Sequence, residues 1–193
     1  HDAMRVLGRA HLAEAGEDRE QTVCEMLSVT IIRSIRSDWS IAKVALLVRL
    51  FGQLGQAKIL VEFATDELFH EMGVWNEIEP FLIAIADDEE QNPATRLQAL
   101  DGLAFNDLRE KAPAGALVHI DRMRALLDEH ELGPDDWLSW AMKRMLALSK
   151  SGDAEGVIEM LVDVEEHLPN NPGHQSVFRY NRAVAMLQLG APH

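Results

Sequence analysis

A chain of 193 residues, 47% of them apolar, is able to bury a core and lacks the polar excess of a disordered segment. Its formal charge of −14 excludes wholesale binding to nucleic acid or an anionic membrane, because phosphate would be repelled overall. One cysteine, Cys24, excludes an internal disulfide and a cysteine-based zinc site.

Leu, Ala, Met and Ile dominate the apolar residues while Tyr and Thr are few, which favours helices over strands. No segment alternates apolar and polar residues as a strand would. In chain order, Met4, Leu7 and Leu12 recur at helical spacing up to Gly16. Glu17-Asp18 opens a second helix through Val23, Met26, Leu27, Ile31 and Ile35 that stops near Ser37-Asp38-Trp39. Cys24 lies in this run among Val23, Met26 and Leu27 and reads as a small buried hydrophobe. A third helix runs from about Ser40 to Leu54 and ends at Gly55, suited to a left-handed stop. Lys43 and Arg49 interrupt its apolar run, so it is too polar to span a membrane.

A fourth helix is expected over about 56–72, ending at Gly73. A fifth carries Ile78, Phe81, Leu82 and Ile85, with Pro80 tolerable only in its first turn. Asn92-Pro93 is a cap followed by proline at the first helical position, starting a sixth through Leu108. A seventh follows Pro113, an eighth runs from Pro134 to the Gly152-Asp153 turn, a ninth reaches Pro169, and the last occupies Ser176–Gly190.

The breaks form two interleaved series. One falls at Gly16, Gly55, Asn92, Gly133 and Asn170, the other at Ser37, Gly73, Lys111, Gly152 and Gly190. Each recurs at about 38 residues, the length of a two-helix hairpin. One hairpin cannot cover its own apolar face, and stacking solves this with a continuous core. The expected architecture is therefore an all-α solenoid of about ten helices. It comprises a half-hairpin at 1–15, hairpins at 17–54, 56–91, 93–132 and 134–169, and a half-hairpin at 174–190. The terminal half-hairpins should expose apolar faces, as in a piece of a longer array or one whose ends pair with another copy.

The turns SDWSIA at Ser37–Ala42, GVWNEI at Gly73–Ile78 and GDAEGV at Gly152–Val157 resemble those of the tetratricopeptide repeat (TPR). From Gly152 to Pro169 the register is similar too, with Val157, Leu161 and Val164 at packing positions and Pro169 at the stop. Asn181, Ala183, Ala185, Leu189 and Gly190 resemble the end of a TPR first helix. Departures are Arg144 at a usual leucine position, the glycine-free turn Lys111-Ala112-Pro113, and units longer than the family's. The resemblance implies a right-handed superhelix whose first helices line a concave face, and a sensor or scaffold role.

Glu67 and His70 form a Glu-x-x-His, the spacing of di-iron bundle ligands, but no second copy accompanies it. No phosphate loop, nucleophile elbow or His-Glu-x-x-His occurs. The scattered histidines lie mostly near helix ends, where bonding terminal carbonyls is their ordinary work. Trp39 and Trp75, at equivalent turns, are expected to pack between hairpins, and of Trp137 and Trp140 one is expected to pack.

Twelve of the eighteen basic residues lie on first helices. Arg109 with Lys150, and Arg144 with Arg182, follow the repeat interval, so neighbouring copies should stand about 10 Å apart. With Lys143, Arg179 and Asn181 they are the candidate residues for gripping an acidic peptide or a C-terminal carboxylate. The expected function is a non-catalytic, cytoplasmic protein- or peptide-binding module without cofactor or metal. The alternative is a metal-binding helical bundle or enzyme centred on Glu67 and His70.

Overall fold

Helix punctuation follows the predicted capping chemistry at most boundaries. The computed structural model describes residues 16–64, 66–110, 112–165 and 172–188, and every regular element among them is helical. In order these are α1 (Glu17–Ser37), α2 (Ile41–Gln53), α3 (Ala57–Ala64), α4 (Glu67–Glu71), α5 (Trp75–Asp87), α6 (Pro93–Arg109), α7 (Pro113–Glu129), α8 (Pro134–Ser151), α9 (Ala154–Glu165) and α10 (Pro172–Gln188). Ser40 caps α2 by accepting from the Lys43 amide, and Asn92 caps α6 by accepting from Ala94 at 2.9 Å. Gly152 ends α8 in the left-handed conformation, with φ of 81°, and Asp153 then accepts from the Gly156 amide to start α9. The predicted half-hairpin at 1–15, the Pro169-Asn170 stop and the Gly190 ending lie outside the described residues.

Three expectations are corrected. The helix foreseen over 56–72 is two helices, because Asp66 accepts at its carbonyl from the Phe69 and His70 amides and so starts α4 anew. Asp is a favoured residue at such a start. Pro80 lies inside α5 beyond its first turn, where it deprives the Asn76 carbonyl of its intrahelical donor. That costs about 3 kcal/mol, but Ile78, Leu82, Ile85 and Ala86 are buried along the helix. Each large one contributes roughly 1.5–3 kcal/mol, so burial wins. The last helix begins earlier than expected, with Pro172 in its first turn.

The chain divides into two compact units, residues 1–81 and 82–193. In the first, α1 packs on α2, α2 on α3 and α3 on α4. Its core is Cys24 and Ile31 of α1, Val44, Leu47, Val48 and Phe51 of α2, and Leu60, Val61 and Ala64 of α3. Phe51, Phe63 and Phe69 form a run of rings at centroid distances of 6.1 and 5.3 Å. Gly52 is required by a close approach: a Cβ there would overlap the Phe81 ring. On the surface, Arg49 grips Glu77 with two hydrogen bonds of 2.6 Å.

In the second unit, each helix from α6 to α10 packs on the next. In addition α6 packs on α8, and α8 on α10. The core holds Leu97, Leu100 and Leu108 of α6, Ile120 and Met123 of α7, Leu138 and Met145 of α8, Val157 and Val164 of α9, and Phe178 of α10. Arg96 of α6 and Arg122 of α7 both donate to the Ala86 carbonyl, at 3.2 and 3.3 Å, and so satisfy the end of α5. Among the described residues no helix is long and apolar enough to cross a membrane.

Candidate binding surface

Asp101 is the charged residue that the apolar face of α6 buries. It shares helical spacing with Leu97, Ala104 and Leu108 and is only 6% exposed. A carboxylate so placed must find donors or lose its charge. Helix α8 supplies both: Ser139 and Lys143 are four residues apart, so they project from one face toward the same group. Ser139 Oγ donates to Asp101 Oδ1 at 2.8 Å and Lys143 Nζ donates to Oδ2 at 3.0 Å. Lys143 Nζ also stands 5.2 Å from the centroid of the Phe105 ring, which the Arg109 guanidinium approaches at 5.9 Å. Asp101, Phe105 and Arg109 thus form a stripe along α6 at intervals of four, with Ser139 and Lys143 facing its first part.

Each predicted site residue can be placed against this arrangement. Lys143 is held by a buried acid of its own chain, so its donors are engaged before any ligand arrives. Arg144 of α8 lies 3.5 Å from Asp121 of α7, and Arg182 of α10 lies 3.7 Å from Glu165 of α9. The two arginines repeat one arrangement: a first-helix cation reaching an acid on the preceding second helix. Both pairs are long and largely exposed, and exposed pairs contribute only about 0–1 kcal/mol, so an incoming carboxylate can compete for either arginine. Lys150 and Arg179 are exposed, and Asn181 is half-buried.

Asp101 was absent from the residues that the sequence singled out. The signal was present, since an acid stood in the buried spacing of a leucine-rich helix, but its partner lies 42 residues on.

The remaining motifs resolve locally. His70 Nε2 donates to the Ala64 carbonyl at 2.7 Å, closing the joint between α3 and α4, and its ring stacks on Trp75 at 4.9 Å. That is the helix-end work expected of histidine here. No group of three or more His, Cys, Asp or Glu able to hold a metal occurs among the described residues. Trp39 is corrected: at the turn between α1 and α2 it is 55% exposed instead of packed between hairpins. Trp140 is buried, with Trp137 tilted against it at 5.7 Å and Arg124 over its ring at 5.0 Å. Cys24 is buried as expected, and burial together with nearby Glu20 pushes its thiol pKa up, away from the reactive thiolate. It borders a recess of about 360 Å³ whose lining also includes Glu20, Gln21, Gln53 and Leu54.

Comparison with protein families, curated proteins and solved structures finds no match to this chain.

Proposed function

We propose that the chain is a non-catalytic, cytoplasmic module that binds a protein or peptide along the first helices of a TPR-like hairpin stack. The supporting observation is the packing of α6 on α8 and of α8 on α10. Alternate helices meet in this way when hairpins stack side by side, and such stacking turns one helix of each pair toward a shared inner surface. Along those helices Arg109, Lys150, Arg179 and Arg182 are exposed in a chain of net charge −14, so an acidic segment or a C-terminal carboxylate is the favoured ligand. Lys143 contributes by holding α6 and α8 together, leaving Lys150 and Arg182 as the contacts to test.

The test is fluorescence anisotropy of the full chain with an acidic peptide carrying a free C-terminal carboxylate, beside its amidated twin. Charge reversal at Lys150→Glu with Arg182→Glu should weaken binding at least about tenfold, equivalent to roughly 1.4 kcal/mol. Unchanged affinity in the double variant would remove the basic first-helix surface as the binding site.

A further inference from the structure

Helix α10 carries an apolar stripe on the side away from its buried Phe178. Val177, Tyr180, Val184 and Leu187 recur at the alternating three- and four-residue spacing of one helix face. Tyr180 and Leu187 are 69% and 60% exposed, Val177 is 41% exposed and Val184 is partly so. A stripe of this spacing is what one helix offers another.

Other exposed apolar side chains lack this setting. Val118 and Val162 stand singly on their helices, and Val162 adjoins Asp163. Met26, Leu27, Val29 and Ile32 share α1 with Glu20 and Glu25.

Charge adds to the stripe; α2 likewise has two cations and no acid, but its exposed Ile41 and Leu46 stand five residues apart and form no stripe. The segment Pro172–Gln188 contains Arg179 and Arg182 and no acidic residue, in a chain that has 32 acidic residues against 18 lysines and arginines. Arg179 directly precedes Tyr180 and is exposed beside the stripe. An apolar stripe with a cationic border complements an amphipathic helix whose apolar seam is edged by Glu or Asp. Pairing α10 with the same helix of a second copy would instead offer Arg179 at the stripe's border no acid from that helix, a less favourable arrangement.

We propose that the outer stripe of α10 docks an acidic amphipathic helix of a partner protein. This goes beyond the peptide surface described above, because its energetic centre is the apolar stripe and Lys150 plays no part in it.

The experiment uses the full chain and a labelled synthetic Leu/Glu/Ala helix with its leucines on one face. Two controls accompany it: the same composition with the leucines shuffled off that face, and a Leu/Lys/Ala helix of opposite charge. The acidic amphipathic helix should bind at least about tenfold more tightly than either control. Tyr180→Asp and Leu187→Asp should each weaken it at least about tenfold, with far-UV circular dichroism unchanged. Lys150→Glu should leave this affinity intact, which separates loss of this site from loss of the first-helix surface. Absence of binding, equal binding of the shuffled helix, or an unaltered affinity in Tyr180→Asp would overturn the proposal. So would sedimentation showing a concentration-dependent dimer that Tyr180→Asp dissolves, because the occupant would then be a second copy.

Discussion

Residues 16–81 and 82–188 bury different chemistry. The first unit fills its interior with aliphatic side chains and phenylalanine rings and keeps its firm ion pair, Arg49 with Glu77, at the surface. The second also buries an acid, Asp101, and satisfies it from a helix that is not next in sequence. Ring packing is cohesive but only weakly directional, whereas a carboxylate bonded to a serine and a lysine accepts few relative positions of its helices. The contrast extends to the first helices themselves. Of the first unit's two first helices, α1 is continuous and the second is divided into α3 and α4, while α6 and α8 are continuous and pack along each other.

The largest effect should come from breaking the polar contact. Lys143→Met leaves Asp101 buried without its cation and should cost about 3–5 kcal/mol in urea denaturation. Adding Asp101→Leu should recover much of that loss. If the double variant stays as unstable as the single one, the pair is not what joins α6 to α8.

A smaller effect is expected from the ring-packed unit. Gly52→Val drives a side chain into the Phe81 ring and should cost about 1–3 kcal/mol, with hydrogen exchange accelerating in α2. Unchanged exchange there would show that the rings yield more easily than their packing implies.

The smallest concerns pH. Hydrogen bonding from Arg49, with its charge, holds the Glu77 carboxyl below the ordinary glutamate range. A pKa depressed by folding adds stability above the unfolded-state value, and that stability is lost as pH falls through the folded one. Glu77→Gln should therefore flatten the acid limb of the stability profile while leaving the limb above neutrality unaltered. Arg49 is exposed and Glu77 only half-buried, so the change should be slight and should shrink further in salt.

Most helix boundaries could be read from local chemistry because capping is a short-range affair. Ser40, Asn92, Gly152 and Asp153 each act within a few residues of their own position, and each behaves as its residue type predicts. The failures mark where local preference was overruled or subdivided. Asp66 started a helix inside an uninterrupted apolar pattern, and Pro80 was carried in a helix interior by the burial around it. Trp39 and Trp75 stand at equivalent turns and both are expected to pack, yet an aromatic at a turn is buried only if another element arrives to cover it.

The order of residues alone settled that the chain is helical and where most of its helices start and stop, since those depend on neighbours a few positions away. Which cations remain available to a ligand was decided by folding. Lys143 and Lys150 lie on one helix and carry the same charge, but only Lys143 meets a buried acid that approaches from another helix. Such a pairing cannot be read from either helix's own spacing, because it arises only when the helices come together.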